Sequence, residues 1–192
     1  MKNISFILLL SIAFVGCGED SNLTKEQIEK YTKEGKIIAQ ASFNTLSGNL
    51  KTAMKGGGVA KAVGFCNATA LSLTDSLSAQ HTAVIKRTSL KLRNMANAPD
   101  SLEAKMLNMY LIMSQMRNPI MVPKILEKNE DEIQFYAPIM IKNETCLKCH
   151  GIIGQTMKAE DYAIIKQLYP KDEAIDYRMD KFRGMWSITL KR

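Results

Sequence analysis

The run "KILEKNEDEIQFYAPIMIKNETCLKCHG", Lys124 to Gly151, decides the fold. Two stretches rich in Ile, Phe and Tyr flank a polar turn at about Asn129 to Asp131, which predicts a β-hairpin. Its second strand delivers the chain into a CxxCH loop, where Cys146, Cys149 and His150 fall within five positions. Such a run serves as a c-type haem attachment site, half of a zinc site, or a redox dithiol beside a histidine. Residues on either side of it separate the three.

Upstream the pattern is helical. Thr24 with Gln27 forms a capping box, and Ile28, Tyr31, Ile38, Thr45 and Ala53 recur at helical spacing, predicting a long helix over about 24–54. "KGGG", Lys55 to Gly58, stops it. A second helical pattern from Val59 to about Gln80 sets Val63, Cys66, Ala70, Leu73 and Leu77 on one face, so Cys66 points inward. "TAVIKRTS", 82–89, reads as a strand, and "NMANAPD", 94–100, as a loop. Asp100 or Ser101 caps a third helix to about Arg117, with Met106, Met109, Met113 and Met116 as a core-filling stripe. Beyond the CxxCH run come a short helix, Ala159 to Leu168, and a terminal strand in "RGMWSITLKR", 183–192. Helices first and antiparallel strands later make an α+β domain. No βαβ pattern precedes the dithiol, which argues against a thioredoxin-like site.

At the other end, "MKNISFILLLSIAFVGCGE" carries Lys2, an apolar run from Ile4 to Val15, and Gly16 just before Cys17. The run is too short to cross a bilayer and reads as an export signal of lipoprotein type, cut before Cys17, which is then acylated. Residues 1–16 are thus expected to be signal peptide, 17–23 a tether, and 24–192 the folded domain. The chain has a net charge of +7, with basic residues scattered among acidic ones, so no nucleic-acid partner is expected.

Export suggests disulfides, but the four cysteines divide differently. Two thiols separated by two residues can reach the two vinyl groups of a haem, and the next residue, His150, is brought under the iron as proximal ligand. Such attachment is made outside the cytoplasm, in keeping with the signal. With Cys17 acylated and Cys146 and Cys149 bonded to one haem c, Cys66 is left without a partner. A Cys3His zinc site from Cys66, Cys146, Cys149 and His150 has the right ligand types but would turn adjacent Cys149 and His150 toward one small ion.

The second axial position is open to His81, Cys66, a methionine, a lysine or nothing. His81 lies among polar residues at a junction of elements. Cys66 is better placed, flanked by Ala62, Gly64, Ala68 and Ala70, whose small side chains would let a flat macrocycle lie close. The basic loop holding Arg87, Lys91 and Arg93 offers Arg87 and Arg93 as contacts for the haem propionates.

"AVGFCNATA", "RTSLKLRNMANAPD", "CLKCHG" and "DYRMDKFRGMWSITL", in that order, resemble the exported single-haem c-type domains of bacteria with a PAS-like sensor fold, from about Tyr31 to Leu190. The resemblance implies a PAS-like antiparallel sheet with flanking helices, thioether links at Cys146 and Cys149, and axial ligands His150 and Cys66. It further implies a redox or gas sensor, with an electron-transfer cytochrome as the alternative. Some relatives carry a transmembrane helix or kinase domain after the haem domain and this chain does not, so a signal is expected to leave through a partner. That partner would be a redox protein or a membrane signalling protein. The expected setting is the periplasm or outer surface, lipid-anchored to the membrane, with the long first helix able to form a homodimer. No acid-base pair or nucleophile set stands near the motif, and no enzymatic turnover is expected.

Overall fold

Alternation along two strands organises the molecule. A computed structural model describes residues 23–192, so the signal peptide, the acylation at Cys17 and all but the last residue of the tether lie outside the described residues. The elements are α1 (Lys25–Ala68), α2 (Ala70–His81), β1 (Val84–Thr88), α3 (Ser101–Ser114), β2 (Lys124–Glu127), β3 (Glu132–Met140), α4 (Glu144–His150), α5 (Ala159–Leu168) and β4 (Phe182–Lys191), with a 3-10 turn at Met95–Asn97. The strands form one antiparallel sheet in the order β1-β4-β3-β2. Together these make the expected α+β architecture. No helix among the described residues is long and apolar enough to cross a membrane.

Along β3, Ile133 and Phe135 face one side and Gln134 and Tyr136 the other; along β4, Trp186, Ile188 and Leu190 oppose Met185 and Ser187. The first face packs under α1 and α2, against Tyr31, Ile38, Ala39 and Leu46. The second packs under α3, against Met106, Leu107 and Tyr110. On that second face Gln134 is buried but satisfied, donating to Ser187 Oγ at 2.8 Å and accepting from Thr189 Oγ1 at 2.8 Å. Of the methionine stripe, Met106, Met109 and Met113 fill this core and Met116 is exposed.

The expected capping box of Thr24 with Gln27 forms, and of the two candidates for α3 it is Asp100 that caps, in a second box with Glu103. Four boundaries differ from the sequence reading. The "KGGG" break is local: Gly57 (φ 172°, ψ 30°) and Gly58 (φ 63°, ψ −154°) leave helical geometry, and α1 resumes to Ala68. Gly58 adopts a region open to glycine alone. The second helix is itself interrupted at Thr69 (φ −126°), where no glycine or proline signals it. The first strand begins at Val84 because Thr82 (φ 52°) and Ala83 close the end of α2, donating to Ala79 O and Ser78 O. Finally, α3 ends at Ser114, since the chain must leave helical geometry before Asn118-Pro119.

Helix α1 crosses the sheet at Gly35, where a Cβ would overlap the Phe135 ring. In an open helix Gly→Ala stabilises by about 1 kcal/mol, whereas overpacking a filled core costs about 1–3 kcal/mol. Gly35→Ala is therefore expected to lower stability in urea denaturation. Gly48→Ala, on the same helix with nothing within 4 Å of the new methyl, is expected to raise it.

Candidate cofactor site

The CxxCH run lies on a helix, not in a loop. Asn143 caps α4, its side chain accepting from the Cys146 N–H at 3.2 Å, so Cys146, Cys149 and His150 are fixed by one helical turn. Leu147 anchors the turn in the interior. The helix stops at Gly151, where a Cβ would overlap Leu147 O and Thr156 Oγ1, which accounts for the glycine after the histidine.

Cys66, on the second limb of α1, faces the same space. All four residues line a cavity of about 340 Å³, in the usual range of ligand sites. Its walls come from α1 on both sides of the glycine break, the start of α2, the end of β1 with the loop after it, the end of β3, α4, Tyr169 and the start of β4. Of the four small residues flanking Cys66, Ala62 and Ala70 line the cavity; Gly64 and Ala68 do not. His81, the last residue of α2, lies outside the lining. Cys66, Cys146 and Cys149 are free thiols. Among the described residues no group of three or more His, Cys, Asp or Glu is gathered closely enough to hold a metal ion.

His150 is oriented from behind. Its Nδ1 lies 2.7 Å from Ala174 O, and a carbonyl only accepts, so Nδ1 carries the proton and the Nε2 lone pair is left free. Burial, with Arg183 and Arg93 adding to it, holds the imidazole well below its ordinary pKa, so it is neutral. Tyr177 stands edge-on to the ring at 6.2 Å, and its N–H donates to His150 O. Burial pushes the Cys66 thiol up, against the opposing pull of Arg87 and Arg93. Cys149 is pushed up to about 11, again by burial.

The two arginines of the expected basic loop differ in place and in use, since Arg87 lies on β1 and only Arg93 in the loop after it. Arg87, on β1, lies over the Trp186 ring at 5.7 Å and lines the cavity; burial lowers its pKa, with Cys66 and Tyr169 opposing. Arg93 donates from Nε to Asp172 Oδ1 at 3.0 Å and from Nη2 to Cys149 O at 2.5 Å and Ala174 O at 3.3 Å. It thereby ties α4 to the 172–174 loop that orients His150. Lys91 also reaches that segment, donating to Ile175 O. Sequence reasoning did not single out Asp172, Ala174, Tyr177, Tyr169 or Arg183, which converge only in three dimensions; Tyr177 and Arg183 do fall within "DYRMDKFRGMWSITL".

Asp172 is fully buried, so breaking its pair leaves an uncompensated charge. Arg93→Gln is expected to cost about 3–5 kcal/mol in chemical denaturation. Arg93→Gln combined with Asp172→Asn is expected to recover part of that loss.

A search of curated proteins finds no match. The crystal structure of the cyanobacterial heme-protein Tll0287 is similar at 20% identity with a TM-score of 0.58, over 88% of this chain and 98% of that chain. At that identity the likeness is one of fold. The Tll0287-like family model matches residues 19–191, and the chain belongs to the Tll0287-like family.

Proposed function

We propose that this protein binds one haem c, joined by thioether bonds to Cys146 and Cys149, with His150 and Cys66 as axial ligands. The observation that carries it is that these four side chains, contributed by helices far apart in sequence, line one cavity. The family and its named heme-protein support the cofactor. The residues fit the group: two thiols one helical turn apart, a neutral imidazole with Nε2 free, and a thiol on another wall. Thioether formation adds each S–H across a vinyl group, consuming both thiols and releasing nothing.

When bound, the haem supplies a one-electron couple. This chain's residues set its terms. His150, held through Ala174, presents a fixed lone pair. Cys66 as thiolate donates electron density that favours the ferric state. Arg87 is the proposed contact for a propionate. Arg93 spends its Nε and Nη2 on Asp172, Cys149 and Ala174, and acts as a positioning residue.

The physiological role we propose is redox or gas sensing in a PAS-like domain. Cys66 stands on a limb bounded by breaks at Gly57–Gly58 and Thr69, so the element that would carry a change at Cys66 is set off from the rest of α1. No catalytic turnover is part of this reading. The site is extracytoplasmic, anchored through acylated Cys17, and the signal passes to a membrane or redox partner. An electron carrier is the alternative, and rigid Cys66 ligation in both oxidation states would favour it.

Covalent attachment is tested by peroxidase-active haem staining after denaturing electrophoresis. Wild type is expected to stain and the Cys146→Ala, Cys149→Ala double variant to lose the signal; a stained double variant would contradict the thioether assignment. Axial ligation is tested by electron paramagnetic resonance and redox titration of the ferric protein. Cys66→Ala is expected to lose the low-spin thiolate signal and to raise the potential by at least tenfold in the reduction equilibrium, about 59 mV for one electron. His81→Ala is expected to change neither, and the reverse pattern would move the ligand role to His81.

A further inference from the structure

Three guanidinium groups line the cavity, those of Arg87, Arg93 and Arg183. Only one carboxylate among the described residues pairs with any of them: Asp172, with Arg93. The other two are cations withdrawn for the most part from water with no carboxylate paired to them, and taking a charge out of water without compensation is costly. The expected compensation is an anion that arrives with the ligand.

Arg183 is built for such a contact. Its Nη1 donates to Ser89 Oγ at 2.5 Å and to Lys91 O at 3.0 Å, which fixes the guanidinium plane. The Tyr177 ring covers it at 5.3 Å. Next to it, a Cβ at Gly184 would overlap Thr88 O, so the start of β4 is held tightly against β1. Amid this support the Nε–H ends inside the protein with no hydrogen-bond partner among the described residues. Burial lowers the pKa of Arg183, as it does that of Arg87. The lining also includes apolar side chains, among them Met54, Val63, Leu71, Leu92 and Ile139.

We propose that Arg183 is a carboxylate-binding residue of this cavity, receiving with Arg87 the carboxylates of a large, otherwise apolar ligand. On the haem reading, on which this rests, those carboxylates are the two propionates. A guanidinium fork matches a carboxylate, and a lysine would not reproduce it. The residue that completes the polar end of the site is thus on β4, whereas Arg93, the neighbour in sequence of Arg87, serves the histidine.

The test compares wild type, Arg183→Gln and Arg183→Lys, produced with c-type haem attachment. Haem content is read by pyridine haemochrome, propionate contacts by the propionate-bending bands in resonance Raman spectra, and the charge by the midpoint potential. In Arg183→Gln the bands are expected to shift and the reduction equilibrium to fall at least tenfold, about 59 mV for one electron. In Arg183→Lys the bands are expected to shift with most of the potential retained. Haem-loaded Arg183→Gln with bands and potential unchanged would overturn the role of Arg183 and leave the haem reading intact. Wild type without a haemochrome would overturn both. If Arg183→Gln does not accumulate, Arg183→Lys decides by itself, shifted bands supporting the assignment and unchanged bands ending it.

Discussion

The buried pair of Arg93 and Asp172 is the constraint on which the site depends. Asp172 has no solvent to return to, so its carboxylate accepts from Arg93 and from the Ala174 N–H, which bends the 172–174 loop around it. The bent loop presents Ala174 O to the His150 imidazole, and the same arginine grips Cys149 O at the end of α4. One ion pair thus sets a helix terminus, a loop and the tautomer of the histidine. Buried pairs of this kind add little net stability but are costly to break, which suits a part whose task is placement.

The cavity occurs where the two faces of the sheet run out. The first limb of α1 lies on the Phe135 face and α3 on the Tyr136 face. Val59 and Val63 belong instead to a third, smaller core with Met157, Ile165 and Tyr169, against which Cys149 packs. The cavity lining combines three arginines with apolar side chains such as Met54, Val63 and Leu71, a mixture suited to an amphipathic ligand. The neutral imidazole and the protonated thiols follow from the same burial that makes the arginines costly.

Much of this was legible in the sequence because it is local. The hairpin, the Thr24–Gln27 capping box and the inward face carrying Cys66 are consequences of neighbours within a few residues. The Thr69 break was not legible, since "NATALS" contains no residue that forbids a helix and tertiary packing decides there. The division of labour between Arg87 and Arg93 was equally hidden. Both sit in one basic run, and what distinguishes them is Asp172, some eighty positions away, meeting one and not the other. Arg183 was unremarkable in sequence, an arginine before a glycine in a strand, until Ser89 and Lys91 were seen to hold it.

Strand β4 follows every other strand in the chain and yet lies between β1 and β3. During synthesis the hairpin of β2 and β3 therefore emerges with an open edge, and β1 has no partner until the last element is made. Neither helical layer can complete its core before that moment, because Trp186, Ile188 and Met185 belong to those cores. Folding of the sheet is thus a late and concerted event, governed by long-range pairing rather than by growth from the N-terminus. The buried Gln134 makes that event selective: only the register that brings Ser187 and Thr189 to its amide satisfies it, and a slip of one residue would turn it into the apolar face.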